Sequence, residues 1–237
     1  MASLQPITRS LFQIALGGVN LFVIKDNGLT LIDTGYSRSL EAIVNALYRG
    51  GESPDQIKQI VLTHAHPDHA GSAAALQRQL GVPVLAHQHE AALLEVGLSG
   101  QAPIHRSPGF INWLIYQAFI KRGANTVDPL VVDGHLNHGD VLAVAGGLQV
   151  LHTPGHSAGH LAFWLKQEGV MILGDTCQNL MGLALSTVYE DRALGIQSVL
   201  AIAQHNFDQA VFGHGRWIRK GASQKLKRAF SRLQNQT

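Results

Sequence analysis

The hydrophobic positions of the chain fall into short runs whose spacing alternates between that of strands and that of helices. Near the start, LFQIAL, LFVI and LTLID are compact apolar runs, and Asn27-Gly28 before the last of them is a strong hairpin signal. The segment SRSLEAIVNALYRG then has apolar residues at helical spacing, with Gly50-Gly51 as a stop. These patterns predict a strand-rich start that leads into a helix.

The alternation continues to the end of the chain. Further strands are predicted at IKQIVLTH, VPVLAH, VLAVAGGLQVLHT, HLAFWLKQ, GVMILGD and QAVFGH. Helices are predicted at HAGSAAALQRQL, QHEAALLEVG, DRALGIQSVLAIAQHN and the basic C-terminal stretch Arg216–Arg232. Strands that alternate with helices indicate a layered α/β protein.

Residues 97–128 depart from this pattern. They open as a loop and continue as a very apolar helix, Phe110–Ile120. A helix that is apolar on most sides is expected to be buried or to pack outside the basic sheet pattern. A wall of a substrate pocket, a dimer contact and an ordinary core helix remain open as its role.

A faint internal repeat suggests two similar halves. LTLIDTG followed by IKQIVLTHAH resembles VMILGDT followed by FDQAVFGHG, so in each half an apolar strand ends in an acid and a later strand ends in histidine. We therefore predict a single domain over residues 1–237, with approximate halves 1–128 and 129–237. A shared site is expected where the polar strand ends meet.

Composition narrows the class of protein. The chain has 237 residues, of which 46% are hydrophobic and 14% charged, as is typical of a compact globular protein. The formal net charge of +2 and the lack of a recognition motif argue against a nucleic-acid partner. Cys177 is the only cysteine, and neither a convincing signal peptide nor a membrane helix is visible. A cytoplasmic protein without membrane contact is expected.

The stretch THAHPDHAG, residues 63–71, carries the candidate chemistry. His64 and His66 are two apart in an extended segment, so their imidazoles project to the same side. Asp68 and His69 follow where the chain turns, and they can reach a neighbouring point. The stretch thus offers two pairs of metal ligands.

Three further residues at predicted strand ends could complete these pairs. They are His156 in TPGHSAGH, Asp175 in LGDT and His214 in FGHG, each with glycine nearby. Imidazole and carboxylate ligands suit zinc, and also iron, manganese or cobalt. Because structural zinc sites often use thiolates, this set favours an open catalytic site, in which the two oxygens of Asp175 could bridge two ions.

The order LIDTG, THAHPDHAG, TPGHSAGH, LGDT, FGHG resembles the metallo-β-lactamase superfamily over residues 15–216. The resemblance implies a four-layer αβ/βα sandwich with metals at the sheet edges. It implies that one metal is bound by His64, His66 and His156, that a second is bound by Asp68, His69 and His214, and that Asp175 bridges them. Asp33 would orient the site without binding metal.

The resemblance points to a metal-dependent hydrolase of the glyoxalase II- and lactonase-like branch. Two divalent ions, zinc foremost, would generate a bridging hydroxide that attacks a small ester, thioester or lactone. Asp68 is expected to orient that nucleophile and shuttle a proton.

The branch is not decided by the motifs. The glycine- and arginine-rich continuation of glyoxalase II after GDT is replaced by CQNLMGL, and Gln178 stands where lactonases place a substrate-binding tyrosine. A mononuclear iron persulfide dioxygenase-like enzyme, a phosphodiesterase of the superfamily and a degenerate binding protein are the alternatives. A zinc β-lactamase and a flavodiiron enzyme are disfavoured.

Cys177 and several histidines lie outside the predicted ligand set. His160 could line the pocket, and Cys177 is expected to be a small buried hydrophobe. Histidines outside the motifs are expected to have surface or core roles: His87, His89, His105, His135, His138, His152 and His205. A small-molecule substrate is the expected partner, and a homodimer is possible through the apolar helix.

Overall fold

The structure is a computed structural model that describes residues 2–100, 104–123 and 125–236, with side chains up to residue 233. Residues 101–103 of the loop predicted at the start of residues 97–128 lie outside the described residues. Fourteen strands are present in the described residues: β1 Leu4–Pro6, β2 Leu11–Ala15, β3 Asn20–Lys25, β4 Leu29–Ile32, β5 Ile57–Val61, β6 Val84–Ala86, β7 His105–Arg106, β8 Gly134–His135, β9 Val141–Leu142, β10 Leu148–His152, β11 Leu161–Leu165, β12 Val170–Ile172, β13 Val188–Tyr189 and β14 Gln209–Val211.

Six α-helices accompany the strands in the described part of the chain: α1 Leu40–Arg49, α2 Ala73–Leu80, α3 Gln88–Glu95, α4 Phe110–Ile115, α5 Arg192–Ala203 and α6 Ala222–Phe230. Short 3-10 turns lie at Pro54–Gln56, Lys166–Glu168 and Ser231–Gln236, and a π-helical turn over Tyr116–Ile120 continues α4.

The strands form two main sheets. The first has the order β1-β2-β3-β4-β5-β6-β8, and the second has the order β14-β12-β11-β10-β9. Strands β7 and β13 form a separate antiparallel pair. The last strand of the first sheet is β8, Gly134–His135. The predicted second half of the chain, which begins at residue 129, therefore contributes a strand to the sheet formed by the first half.

Period-two alternation places the two sheets face to face. In β11, Phe163 and its alternate neighbours face the first sheet, whereas Trp164 faces α5 and α6. In β3, Phe22 likewise faces the second sheet, while Leu21 packs with α1 and α2. Three apolar cores therefore separate four layers, in the order helix, sheet, sheet, helix, as predicted.

The internal repeat corresponds to two equivalent strand pairs. Strands β4 and β5 are parallel neighbours in the first sheet, and β12 and β14 are parallel neighbours in the second. In each pair the first strand is followed by an acid, Asp33 or Asp175, and the second by a histidine, His64 or His214. Parallel strands end at the same edge, so the polar residues of both halves meet there.

One element prediction was wrong in detail, and one of the roles left open for another element is excluded. The strand predicted over 141–153 is split into β9 and β10 by a turn in which Ala145 has a φ of 48°. The apolar helix over 110–120 is not a core helix, because none of its side chains is buried; Phe110 is 71% exposed and Phe119 76%. None of the described helices has the length and apolarity needed to cross a membrane.

Candidate metal centre

The predicted ligands all lie at carboxyl ends of strands or just beyond them. His64 and His66 follow β5, and His156 follows β10 by a short Thr-Pro-Gly turn. Asp175 follows β12, and His214 follows β14. The structure brings these residues together with Asp68 and His69, so all seven predicted side chains converge at one edge of the sandwich.

The first group consists of His64, His66 and His156. Nδ1 of His66 lies 3.0 Å from Nε2 of His64 and 3.0 Å from Nε2 of His156. Two nitrogens that share a tetrahedral zinc ion lie about 3.4 Å apart, since each is about 2.0–2.1 Å from the metal. The spacing of this trio fits a small divalent cation.

The second group consists of Asp68, His69 and His214. Oδ2 of Asp68 lies 3.2 Å from Nε2 of His214 and 3.9 Å from Nε2 of His69. Asp175 lies between the two groups, because its Oδ2 is 3.2 Å from Nε2 of His214 and 3.5 Å from Nε2 of His156. This is the position expected of a bridging carboxylate.

The outer nitrogens of these histidines are hydrogen-bonded, which sets their tautomers. Nδ1 of His156 donates to the carbonyl of Val188 at 2.8 Å, and Nδ1 of His214 donates to the carbonyl of Gly18 at 2.6 Å. A neutral imidazole that donates through Nδ1 has its lone pair on Nε2. Burial lowers the pKa of His156, which therefore directs a free lone pair into the site. His214 directs its Nε2 at Asp68 and Asp175, and these carboxylates raise its pKa against the effect of burial.

Asp33 organises the remaining two rings. Its Oδ2 accepts from Nδ1 of His69 at 2.8 Å and from Oγ1 of Thr63 at 2.8 Å. The same Thr63 hydroxyl lies 2.9 Å from Nδ1 of His64, which donates to it. One carboxylate thus orients His69 directly and His64 through Thr63, in the supporting role predicted for Asp33.

A close backbone approach leaves room for the carboxylate of Asp175. A Cβ added at Gly213 would lie 2.2 Å from Oδ1 of Asp175 and 2.7 Å from Cε1 of His69. No side chain fits at that distance, so glycine is required immediately before His214.

The charges of the two groups differ. Burial lowers the pKa of His64 well below its usual value, and it lowers that of His66 to about 3, with neighbouring imidazoles adding to the effect. Burial also opposes a charge on His69, but Asp175, Asp68 and Asp33 outweigh it and raise its pKa to about 9. The first group is therefore neutral, and the second holds cationic and anionic side chains together.

Two buried atoms support the fit to a cation. Among the described residues, Nε2 of His69 and Oδ1 of Asp175 are buried and make no hydrogen bond. Buried polar atoms without a hydrogen bond are uncommon, and these two lie 3.5 Å apart, within reach of a shared cation. Imidazole nitrogens and carboxylate oxygens suit zinc, iron, manganese or cobalt, so the side chains present fit a divalent metal centre.

Glu90 is a supporting residue that the sequence did not reveal. It is 1% exposed, and its carboxylate accepts from the backbone N–H of Ala65, the hydroxyl of Ser157 and the backbone N–H of Gly159, at 2.7 to 2.8 Å. Burial raises its pKa. Glu90 therefore ties the loop of His64 and His66 to the loop of His156.

The structure also settles the surroundings of His160, Cys177 and Gln178. Nε2 of His160 accepts from the backbone N–H of Asp175 at 2.9 Å, so the ring helps to position Asp175. Cys177 is fully buried among apolar side chains and burial raises the pKa of its thiol, as expected of an inert core residue. Gln178 donates to the carbonyl of Leu185 at 3.0 Å and is 6% exposed.

Comparisons with known proteins identify the family of the chain. A sequence model of the metallo-beta-lactamase superfamily matches residues 14–183. The uncharacterized protein YobT of Bacillus subtilis (strain 168) is 25% identical over 96% of both chains. A hydroxyacylglutathione hydrolase of Rhizobium meliloti (strain 1021) is 27% identical over 83% of this chain and 65% of its own length.

A solved structure has the same architecture. The metallo-beta-lactamase SMB-1, crystallised with mercaptoacetic acid, superposes with a TM-score of 0.73 at 19% identity, over 99% of this chain and 95% of its own. Its likeness concerns the fold alone. Since the superfamily model covers most of the chain, the protein belongs to the metallo-beta-lactamase superfamily of metallo-hydrolases.

Proposed function

We propose that this protein is a dinuclear metal-dependent hydrolase that cleaves an ester-type bond of a small molecule, namely an ester, thioester or lactone. The observation that carries the proposal is the convergence of two ligand groups around Asp175, whose Oδ1 is buried without a hydrogen bond. His64, His66 and His156 would hold one metal, and Asp68, His69 and His214 the other. Similarity to the Rhizobium meliloti hydroxyacylglutathione hydrolase supports the choice of an acyl substrate.

Bound divalent metals supply an activated water and stabilise negative charge on the substrate. The protein contributes the remaining chemistry. The side chain of Asp68 is 26% exposed, compared with 8% for Asp175, so Asp68 is the ligand carboxylate that faces the open side. His69 and His214 lower its pKa against the opposing effect of burial. An ionised carboxylate at this place can orient the attacking water and receive its proton.

The test combines metal analysis with a substrate panel. Purified protein is assayed for zinc, iron, manganese and cobalt, and for turnover of lactones, thioesters, aryl esters and phosphodiesters. We expect about two metal ions per chain and turnover of at least one carboxylic ester, thioester or lactone. One iron per chain with oxygen consumption would identify a persulfide dioxygenase-like enzyme instead, and turnover confined to phosphodiesters would also overturn the proposal.

Two variants and a control locate the activity. Asp68→Ala removes the proposed proton acceptor and a ligand of the second group, so we expect turnover to fall by about 100-fold or more. His66→Ala removes Nδ1 of His66, which lies close to both other histidines of the first group, and we expect a similar loss of turnover. His138→Ala alters an exposed histidine outside the site and should leave turnover unchanged. Full metal-dependent turnover in either site variant would refute the assignment.

A further inference from the structure

Helix α4 and its π-helical continuation are turned the opposite way from an ordinary surface helix. Their two polar side chains, Asn112 and Gln117, are partly buried, whereas most of their large apolar side chains are exposed. The amide of Asn112 holds this orientation, because it accepts from Gln178 at 3.3 Å and from Thr187 at 3.4 Å, and donates to the carbonyl of Pro108 at 2.9 Å. A helix that faces water buries its apolar side instead. The outer side of this helix is therefore suited to an apolar medium.

Five exposed apolar side chains form the outer apolar face of this helix: Phe110, Ile111, Trp113, Leu114 and Phe119. The rings of Phe110 and Trp113 stack with centroids 5.8 Å apart, so they present one continuous surface. Phe110 and Phe119 lie at opposite ends of the helix, about 13 Å apart along its axis. Exposed apolar patches of this kind mark interaction sites, and one of this length needs a partner larger than a small-molecule substrate.

The charged residues in the segment that carries the outer apolar face are all basic. The sequence has no aspartate or glutamate in residues 96–127, but it has Arg106, Lys121 and Arg122, and all three are exposed. The guanidinium of Arg106 lies 5.7 Å from the ring centroid of Tyr116, and the other two directly follow the helix. Two copies that met through this face would bring like charges together, whereas an anionic surface would neutralise them.

A second apolar projection adjoins the first. Gln178 donates to Asn112, and three residues further along the chain Met181 is 81% exposed. Arg216 lies beside this turn, because its backbone N–H donates to the carbonyl of Asn179 at 2.9 Å, and its side chain is exposed. The combination of exposed apolar and basic side chains therefore extends beyond the helix.

From this surface we infer that the protein docks on an anionic lipid membrane, with the outer apolar face between the headgroups and the basic side chains at the lipid phosphates. Aromatic and aliphatic side chains such as Trp113 and Phe110 suit this boundary, and lysine and arginine are attracted to anionic lipid. The expectation of no membrane contact rested on the lack of a spanning helix. A helix that lies in the plane of the membrane surface need not cross the bilayer, so that lack is no obstacle. The inference is independent of the proposed hydrolase function.

The test is flotation of the full chain with vesicles. One set contains phosphatidylcholine alone, and the other contains phosphatidylcholine with about one third phosphatidylserine. We expect the wild type to bind the anionic vesicles, and to bind the neutral ones more weakly by about tenfold or more. Added salt should weaken binding to the anionic vesicles, because it screens the attraction of the basic side chains.

Two double variants separate the apolar and the electrostatic contributions. Phe110→Ser with Phe119→Ser should weaken binding to anionic vesicles by about tenfold or more, because both rings lose their contact with lipid. Lys121→Gln with Arg122→Gln should weaken it by about fivefold for each charge removed. Tyr48→Ser alters an exposed aromatic residue on α1 and should bind as the wild type does. Because all the altered side chains are exposed, Tm should change little in any variant.

Several results would overturn the inference. They are absence of binding to both kinds of vesicle, equal binding to the two kinds, and equal binding by the phenylalanine variant and the wild type. A dimer in sedimentation velocity that the phenylalanine variant dissociates would assign the outer apolar face to a second copy of the chain, and would overturn it too. If the phenylalanine variant fails to fold, the lysine–arginine variant and the salt dependence decide, and binding that responds to neither refutes the inference.

Discussion

Histidine rings contact one another at two places in the described part of the chain, and the two differ in their partners. At the metal centre, the rings meet carboxylates, and outer N–H groups are bound by Asp33, Val188 and Gly18. At the second place, His87 and His152 stack with centroids 4.3 Å apart and an angle of 7° between their planes. We call these two the peripheral pair. The metal centre differs from the peripheral pair in its neighbouring carboxylates and in the hydrogen bonds that orient its imidazoles.

The largest expected effect comes from removing the carboxylate that lies between the ligand groups. Asp175→Asn keeps the shape but removes the charge, so the second metal should be lost and turnover should fall by about 100-fold or more. Metal content and ester hydrolysis measure the change. The control is His152→Asn in the peripheral pair, for which both should stay at wild-type values. Loss of metal from His152→Asn would show that the peripheral pair also contributes to metal binding, contrary to the difference described above.

A smaller effect is expected from the support of the ligands. Asp33→Asn preserves the left-handed backbone, since φ is 63° there and asparagine tolerates it, but it turns an amide towards Nδ1 of His69. We expect metal affinity to weaken by about 10- to 100-fold. Competition with a chelator measures the affinity. Asp140→Asn, at an exposed position, is the control, and an unchanged affinity for Asp33→Asn would show that the carboxylate does not act through His69.

Glu90 connects the two regions, because it lies on α3, the helix capped by His87. Glu90→Gln leaves the N–H of Ala65 or its partners on the other loop without a good acceptor. We expect the free energy of unfolding to fall by about 1–3 kcal/mol. Urea unfolding of Glu90→Gln and of Glu95→Gln, an exposed acid on the same helix, checks this. Equal stabilities would contradict the role of Glu90 in joining the two loops.

How far the sequence predicted the site follows from the range of each contact. His64, His66, Asp68 and His69 were predictable because their spacing in a strand and turn already defines where they point. Glu90 was not, because its helix sequence resembles that of a surface acid. Its burial depends on Ser157, which is 67 residues away in the chain.

The same reasoning applies to the apolar helix, α4. Its composition predicted burial or packing outside the sheets, and it is attached to the body partly through a polar side chain: Asn112 accepts from Gln178 at 3.3 Å and from Thr187 at 3.4 Å. Hydrophobicity fixes which residues favour contact, and it does not show what they contact. A pocket wall and a dimer contact therefore stay predictions.

The smallest expected effect concerns the pH dependence of the peripheral pair. Burial, with His152, His89 and His135 nearby, lowers the pKa of His87 to about 4, from 6.5 in an unfolded chain. The unfolded chain therefore binds an extra proton between these values, and stability falls as the pH drops from 6.5 towards 4.

His87→Asn keeps the helix cap and removes this titration. We expect the variant to lose less stability than the wild type between pH 7 and pH 5. Urea unfolding with a chelator present measures it, and His105→Asn, at an exposed position, is the control. If His87→Asn and the wild type lose the same stability between pH 7 and pH 5, the lowered pKa of His87 does not destabilise the protein at low pH.

The first ligand group has a consequence for the chain as a polymer. His66 and His156 are 90 residues apart in the sequence and belong to loops that follow different sheets. An ion held by both would close a long covalent loop and act as a removable cross-link, much as a disulfide does in a chain whose single cysteine cannot form one. The supply of metal would then set how long the folded protein survives, as well as how fast it works.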